Sequence, residues 1–265
     1  MNDADIRAAI DTLRSAGVDS PDHDARALAK HASKTGADFA DLINRRAQRT
    51  PLQHLVGSTG FRYLDLDVGP GVFVPRPETE VLVDAVLAEI KTKTQPLVVD
   101  LCAGAGTIGF AVAHEHPTAA VHLVERDPRA FEWLQHNNKQ LDNDRVHLHL
   151  ADAADALKEL DGTVDVVASN PPYVAESERD LVDPEVRDHD PEQALFAGED
   201  GLDVIRVVVA TAQRLLKPNG FVAIEHSDRQ GEAVPQLLRD TSGWIDIEDH
   251  EDLTKRPRFT TARRK

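Results

Sequence analysis

The spacing of apolar residues changes along the chain, and after Pro96 it follows a regular alternation. Short apolar runs typical of buried strands are separated by stretches with apolar residues at helical spacing. The predicted strands are LVVDL, AAVHLVE, RVHLHL, TVDVVAS and GFVAIEH, and the predicted helices are TIGFAVAHEH, PRAFEWLQHNNKQL, AADALKEL and GLDVIRVVVATAQRLL. Five strand–helix alternations predict an α/β fold with a doubly wound, mostly parallel sheet. Its ligand crevice should lie at the carboxyl ends of the strands.

The region before this alternation has a different pattern. Apolar residues at helical spacing, among them Ile6, Ile10 and Leu13, predict short helices in residues 1–48. Alternating FRYLDLDV, with glycines and prolines around it, predicts a β-hairpin. We therefore expect three parts: an N-terminal helical domain (1–48), a β-hairpin linker (49–80) and the sheet domain (81–265), whose first helix is EVLVDAVLAEIK.

Composition and charge narrow the class of protein. With 41% hydrophobic and 29% charged residues, the 265-residue chain has ordinary globular values. It shows no signal-peptide pattern and no apolar run of the ~18 residues a membrane span needs, so we expect a soluble, cytoplasmic protein without membrane contact. The net charge of −16 argues against non-specific nucleic-acid binding, although KRPRFTTARRK remains a possible basic patch. The acidity is also typical of a solvated surface.

A glycine-rich loop follows the first predicted strand in DLCAGAGTIG. Gly104, Gly106 and Gly109 match the G-x-G-x-x-G pattern of dinucleotide-binding loops. Asp100 comes directly before this loop, and a fixed carboxylate there suits a ligand ammonium better than a pyrophosphate, which it would repel. The loop pattern alone leaves both ligands open.

Acidic residues end three successive predicted strands: Asp100, Glu125 and Asp152. The carboxyl ends of parallel strands meet at one sheet edge, so these side chains should line one crevice. Glu125 could accept hydrogen bonds from both hydroxyls of a ribose. Together the carboxylates suggest S-adenosylmethionine, which is cationic and has no phosphate. The alternative for each is an N-cap of the following helix.

The fourth strand ends in Asn170, Pro171, Pro172 and Tyr173. An amide or aryl amine is a poor nucleophile and must be held in place for methyl transfer. The Asn170 side-chain oxygen and the Pro171 carbonyl could accept its two N–H bonds, and the Tyr173 ring could stack on a planar acceptor. The prolines would keep this backbone rigid. A rigid turn at a strand end is the alternative.

NPPY together with DLCAGAGTIG resembles class I S-adenosylmethionine-dependent methyltransferases that act on planar nitrogens. Segments 51–83, which contains PRPETE, and 190–226 are similar to those of the HemK-like peptide chain release factor glutamine methyltransferases. This resemblance implies methyl transfer to the side-chain amide nitrogen of the Gln in the Gly-Gly-Gln motif of class I release factors. S-adenosylmethionine would be the cofactor and S-adenosylhomocysteine the product.

The resemblance also implies residue roles. Asn170, Pro171 and Tyr173 would be catalytic, and these with Pro172, Arg76, Glu78 and Phe73 would bind the substrate. The cofactor would contact Asp100, Gly104, Gly106, Glu125, Asp152 and Asn170. The N-terminal helices would help to grip the release factor. Cys102 and Ser227 depart from the family pattern, which commonly has glycine at both positions; positive φ at residue 102 would require the loop to be reshaped.

Other functions remain open on the residues themselves. NPPY also fits an enzyme that methylates amino groups of nucleic-acid bases or of another protein, and the fold also fits a non-catalytic or NAD-binding module. The closest histidine pairs, His114 with His116 and His147 with His149, have no evident third ligand, so no metal is expected. The acidic segment 176–193 is either a solvated loop or a wall of the acceptor site.

Overall fold

Four helices open the chain in the computed structural model, which describes residues 2–265: α1 (Asp3–Ser15), α2 (Pro21–Thr35), α3 (Phe39–Ala47) and α4 (Leu52–Val56). Asn2 caps α1, and Pro21 begins α2, where its missing N–H costs nothing. Leu13, Leu28 and Leu55 are buried in one apolar cluster built by these helices. That cluster includes α4, which lies beyond residue 48.

A β-hairpin follows, formed by β1 (Ser58–Phe61) and β2 (Leu64–Asp67) in antiparallel pairing. Phe61 and Leu66 are buried against the sheet domain's core. A short 3₁₀ turn, Pro77–Thr79, leads into α5 (Glu80–Ile90). The hairpin prediction is therefore confirmed, and the stretch just before it is helical.

The central sheet has seven strands: β3 (Leu97–Leu101), β4 (Ala120–Glu125), β5 (Val146–Leu150), β6 (Val164–Ser169), β7 (Leu216–Glu225), β8 (Trp244–Glu251) and β9 (Pro257–Arg264). Their order is β5-β4-β3-β6-β7-β9-β8. Strands β3 to β7 pair in parallel, and β9 pairs antiparallel with both neighbours. Strand order reverses beside β3, where β4 lies on one side and β6 on the other. This is the place for a ligand crevice in an open α/β sheet.

Helices cover both faces of the sheet. The helices that follow α5 are α6 (Thr107–Glu115), α7 (Pro128–Leu141), α8 (Pro184–Arg187), α9 (Glu192–Leu195), α10 (Asp203–Leu215) and α11 (Ala233–Asp240). Successive strand residues point to opposite faces. Val98 thus packs with α5 and α6 in one core, while Val99 packs with α10 and α11 in the other. The predicted doubly wound α/β fold is confirmed.

Three details differ from the prediction. AADALKEL forms turns and a 3₁₀ turn at Lys158–Leu160 instead of an α-helix, because Leu157 has φ +56°, which interrupts a right-handed helix. The predicted strands omitted β8 and β9. The basic end of the chain lies mostly in β9, where Arg258 pairs with Asp252, so part of its charge is neutralised. Among the described residues, no helix is both long and apolar enough to span a membrane.

Candidate active site

A cavity of about 480 Å³ opens at the carboxyl ends of β3, β4, β5 and β6. Most of the predicted site residues line it: Phe73, Arg76, Asp100, Gly104, Glu125, Asp152, Asn170, Pro171, Pro172 and Tyr173. Gly106 and Glu78 are not among the residues that line it. The size is typical of a small-molecule site, which holds ligands in roughly 300–1,000 Å³.

The glycine-rich loop runs from β3 into α6 in left-handed backbone conformations. Cys102, Gly104 and Gly106 have φ values of +63°, +55° and +92°. Residue 102 therefore does have a positive φ, and in this chain a cysteine adopts it in place of a glycine. A side chain there costs about 1–2 kcal/mol relative to glycine. A Cβ on Gly106 would collide with Phe110 and lie 2.8 Å from Leu134, so only glycine fits there.

Asp100 is buried at the base of this loop, with 1% of its surface exposed. Its Oδ2 atom accepts a hydrogen bond of 2.9 Å from the Gly109 N–H, and its Oδ1 atom has no partner. Burial, opposed by the Gly109 hydrogen bond and reinforced by the nearby Glu125 charge, raises the pKa of Asp100 to about 8. A ligand cation beside Oδ1 would satisfy this carboxylate and favour its charged form.

Glu125 and Asp152 are bound to backbone N–H groups close by. Glu125 accepts hydrogen bonds from Gly104 at 2.9 Å and from Asp127 at 2.7 Å, one on each carboxylate oxygen. Asp152 accepts a hydrogen bond of 2.9 Å from the Ala154 N–H, so it caps a turn, much as the N-cap alternative predicted. Asp152 also lines the cavity. Each carboxylate oxygen has a second lone pair that can accept from a ligand hydroxyl.

Asn170 and Tyr173 follow β6, the strand beside β3, and line the same cavity. The Asn170 amide nitrogen donates to the Thr79 hydroxyl oxygen over 3.2 Å. This bond orients the amide so that its oxygen, Oδ1, can accept a hydrogen bond from a ligand. The backbone carbonyl of Tyr173 accepts a bond of 3.1 Å from the Gln230 side chain, which fixes the NPPY backbone to the loop after β7.

Glu225 stands behind these residues at the end of β7, with 1% of its surface exposed. Burial, opposed by the neighbouring Thr79 hydroxyl and the Arg258 charge, raises its pKa to about 7. Burial also raises the pKa of the Tyr173 hydroxyl, and the Glu225 charge adds to that rise.

The rim of the cavity joins the PRPETE segment to the acidic segment 176–193. Arg76 lies over the Phe73 ring, 5.2 Å from its centre, and donates to Asp190 over 3.0 Å. Burial raises the pKa of Asp190 to about 6, although the Arg76 charge opposes this rise. Pro191 and Gln193 of the same segment line the cavity, so part of the segment forms a wall of the site.

The histidines and the cysteine offer little chemistry here. His122 and His149 contact each other across β4 and β5, with ring nitrogens 3.0 Å apart. Within residues 2–265, no group of three or more potential ligands could hold a metal ion. Burial raises the pKa of the Cys102 thiol to about 12, so it is a poor nucleophile. Ser227 has φ −69°, which needs no glycine.

Comparison with known proteins identifies the family. The Methyltransferase small domain model matches residues 62–185. The release factor glutamine methyltransferase of Streptomyces coelicolor is 48% identical, over 98% of this chain and 97% of that protein. The Mycolicibacterium smegmatis protein of the same name is 43% identical over 98% and 96%. The chain belongs to the release factor glutamine methyltransferase family. Membership in this family makes it a methyltransferase.

Two further matches concern a sequence relative with another acceptor in its name and a solved structure of similar fold. A 4-amino-L-phenylalanine/4-methylamino-L-phenylalanine methyltransferase of Streptomyces pristinaespiralis is 38% identical over 88% of this chain and 85% of that protein. The hMettl16 catalytic domain, solved with an RNA hairpin, has a TM-score of 0.62 and 15% identity over 75% of this chain and 74% of that chain. At this identity the structural match supports the fold alone.

A methyltransferase domain implies S-adenosylmethionine as the cofactor. The surroundings of the buried Asp100 carboxylate show whether this cofactor fits the cavity of this family member. An unpartnered, buried Oδ1 atom at the cavity calls for a cationic group, and the cofactor carries an ammonium. Glu125 at the next strand end can accept from ribose hydroxyls. The residues present therefore fit the cofactor.

Sequence analysis missed several residues that lie behind or beside the predicted acceptor residues in this family member: Thr79, Asp190, Glu225 and Gln230. Thr79 was part of the quoted PRPETE segment, but its contact lies 91 residues away in the chain. Glu225 lies at the end of a predicted strand, as Asp100, Glu125 and Asp152 do, and that signal could have singled it out.

Proposed function

We propose that this protein transfers a methyl group from S-adenosylmethionine to the side-chain amide nitrogen of the Gln in the Gly-Gly-Gln motif of class I release factors. Near full-length similarity to proteins of that name supports the proposal. The structural observation that carries it is the orientation of Asn170, whose amide nitrogen is bound to Thr79 and whose oxygen is left for a donor. A substrate NH₂ group is such a donor.

On the cofactor side, Asp100 would bind the ammonium and Glu125 the ribose hydroxyls, with Gly104 and Asp152 nearby. The bound cofactor supplies an electrophilic methyl group. Gly106 would act indirectly, because it shapes the turn rather than the cavity wall. S-adenosylhomocysteine would be the product.

On the acceptor side, Asn170 Oδ1 and the Pro171 carbonyl would accept the two N–H bonds of the Gln amide. These bonds would orient the nitrogen toward the methyl group, and Tyr173 would pack on the amide plane. Pro171 and Pro172 hold the backbone, since neither can rotate freely about φ. Phe73 and Arg76 would contact the substrate at the rim, and Glu78 would act from outside the cavity.

The N-terminal helices would help to bind the release factor, with residues 1–48 as recognition domain, 49–80 as linker and 81–265 as methyltransferase domain. Arg46, which is buried with Asp24, also contacts Glu185 in α8 at 2.8 Å. The helices are thus joined to the wall of the acceptor site. We expect E185Q to raise KM for the release factor several-fold at unchanged cofactor affinity; an unchanged KM would argue against this coupling.

The deciding experiment incubates the protein with radiolabelled S-adenosylmethionine and one of three acceptors: a class I release factor, nucleic acid or 4-amino-L-phenylalanine. We expect label on the release factor, and mass mapping should locate it on the Gly-Gly-Gln glutamine. A release factor with Gln replaced by Ala is the matched control. Label on nucleic acid or on the free amino acid alone would contradict the proposal.

The arylamine arm has a specific reason, because the relative from Streptomyces pristinaespiralis is named for that acceptor. An aryl amine is also a planar NH₂ donor, and NPPY fits it equally well. The cytoplasm is the expected location, since release factors act there in translation.

A further inference from the structure

Gln230 is a buried side chain in the loop after β7, and the proposed reaction gives it no role. Only 7% of its surface is exposed. Its amide nitrogen, Nε2, donates to the Tyr173 carbonyl over 3.1 Å and also faces the carbonyl oxygens of Asp200 and Gly201, each at 3.4 Å. Its amide oxygen, Oε1, accepts a bond of 3.1 Å from the Ser227 N–H. One side chain therefore joins three segments at the carboxyl end of the sheet.

These partners fix the direction in which the Gln230 amide points. A side-chain amide has two N–H donors on its nitrogen and an acceptor oxygen on the other side. Three carbonyl oxygens face Nε2 and one backbone N–H faces Oε1, so a reversed amide would place like groups opposite each other at every contact. An ionised glutamate could only accept, so it would not replace this glutamine.

The peptide unit between Tyr173 and Val174 is held at both of its polar atoms. Its carbonyl, that of Tyr173, accepts from Gln230, and its N–H, that of Val174, donates to the Leu195 carbonyl over 2.8 Å. The Val174 carbonyl accepts in turn from Ala197 over 2.9 Å. One edge of this extended stretch is therefore paired with the segment that contains Leu195, and Gln230 binds the other edge. Because a peptide unit is planar, bonds on both edges fix its direction and the position of the Tyr173 Cα atom.

The close approach of Gly201 shows how little space surrounds this contact. Gly201 has φ +73°, and a Cβ atom on it would lie 2.4 Å from the Tyr173 carbonyl oxygen and 2.9 Å from Gln230 Nε2. Both distances are too short for atoms that are not bonded to each other. A side chain at residue 201 would therefore push the Tyr173 carbonyl and the Gln230 amide out of their observed places.

We propose that Gln230 is a positioning residue that, through the Tyr173 carbonyl, holds the Tyr173 side chain in place for the acceptor. Tyr173 lines the cavity, and its side chain packs against the core that contains α10 and α11. The backbone that carries this side chain is the one that Gln230 fixes. The inference rests on the proposed function, because it assumes a planar acceptor on which the Tyr173 ring packs.

Kinetic measurements on Gln230→Leu and Gln230→Glu test this role. Q230L removes both donors, and the ionised side chain of Q230E can only accept. We expect both changes to lower kcat at least about tenfold, with cofactor Kd within about threefold. Q135E, at an exposed position of α7, is the matched control and should leave kcat unchanged. An unchanged kcat in Q230L, or equal losses of kcat and cofactor affinity, would overturn the inference.

The pH profile of Q230E adds a signature that loss of packing would not give. A protonated carboxyl group regains one donor, and burial favours the protonated form. We therefore expect the turnover of Q230E, relative to the wild type at each pH, to recover as pH falls from about 8 to about 6. Q230L should show no such recovery. The same pH profile in both variants would contradict the donor role.

Gly201→Ala disturbs the same carbonyl from another segment. The added methyl group should displace the Tyr173 carbonyl, so we expect kcat to fall as in Q230L, again with cofactor Kd within about threefold. G162A is the matched control, because Gly162 has nearly the same φ, +71°, and no atom lies within 4 Å of an added Cβ. It should leave kcat unchanged. Equal losses in both variants would show that backbone strain, and not the contact, lowers turnover.

A double mutant separates positioning from general stability. If Gln230 acts through the Tyr173 side chain, Q230L should cost much less in a Y173A background than alone, because the ring that it positions is absent. Additive losses would overturn the inference.

A readout without any acceptor distinguishes this inference from the proposed function. The chain has two tyrosines, and a valine follows a tyrosine only at 173–174. Carbonyl-¹³C tyrosine together with ¹⁵N-valine therefore labels both ends of one peptide bond for NMR. We expect its carbonyl signal to move upfield in Q230L and G201A, where the hydrogen bond is lost, and to stay in place in Q135E and G162A. An unmoved signal in Q230L would refute the inference. A wild type that keeps this pattern but methylates no release factor would refute only the proposed function.

Discussion

The proposed cofactor side and the proposed acceptor side of one cavity use different kinds of contact. Asp100 and Glu125 bind backbone N–H groups 9 and 21 residues away along the chain. On the acceptor side, Asn170 binds Thr79 across 91 residues, and Tyr173 is held by Gln230 across 57. Arg76 and Asp190, at the rim, are 114 residues apart. The cofactor side is therefore built by local loops, and the acceptor side by side chains that only the folded sheet brings together.

This difference has a chemical reason. A cofactor with fixed charges needs carboxylates near a loop, and the local backbone can hold them. A weak nucleophile must be oriented, and orientation requires that each polar group have one direction of hydrogen bonding. Contacts from several segments provide that constraint. The two sides should consequently respond differently to substitution.

The largest effect should come from Asn170→Ala. We expect kcat to fall at least about a hundredfold, because the acceptor nitrogen loses one of its two orienting acceptors. Cofactor Kd should stay within about threefold, since cofactor binding depends mainly on the other side. Steady-state kinetics and calorimetric titration measure the two quantities. N143A, in an exposed loop, is the control; equal losses of both quantities would show that the sides are not separate.

Asp100→Asn should weaken cofactor binding, which Asn170→Ala should leave nearly unchanged. We expect cofactor affinity to fall by about 2 kcal/mol or more, roughly thirtyfold, because a buried cation would lose its carboxylate. The ligand-free protein should become more stable, since it no longer has to protonate a buried carboxyl group whose pKa lies near 8. Calorimetric titration and thermal unfolding measure both, with D144N at an exposed site as control. A less stable ligand-free variant would contradict this account.

The stability gained in D100N should also depend on pH. Burial raises the pKa of Asp100 from 3.8 to about 8, so the folded protein holds this proton more tightly than the unfolded chain. Below the unfolded pKa the Asp100 carboxyl group is protonated in both the folded and the unfolded protein, and its contribution to stability is fully present. That contribution is lost as pH rises toward the folded pKa, because only the unfolded chain ionises there. We expect the stability gain of D100N to increase by ~1 kcal/mol or more between pH 5 and pH 8. Urea unfolding at several pH values measures it; a constant gain would exclude this titration.

The smallest effect should come from the backbone at Cys102. With φ +63°, this position favours glycine, so C102G should be more stable than C102A by about 1 kcal/mol. Cofactor affinity should change little between the two. Comparing two variants that both lack the thiol removes the contribution of its packing. If C102A were the more stable, the left-handed conformation would not be what distinguishes this loop.

Much of this protein could be predicted from local patterns. The helical module, the hairpin and the five parallel strands follow from apolar spacing, and the residues at the strand ends line one cavity. The predictions failed where a local pattern was weak. AADALKEL was predicted as a helix although Leu157 takes a left-handed conformation. The predicted strands also omitted β8, which is mostly exposed, and β9, whose buried centre contains two threonines.

The sequence by itself determined the fold class and the residue types at the ends of β3, β4, β5 and β6. It could do so because alternation, glycine turns and prolines act over a few residues. Only the tertiary structure decided how Asn170 faces, since that depends on Thr79, which lies 91 residues away in the chain. Hydrogen-bond direction is a property of a closed network, and such a network exists only after the strands have assembled.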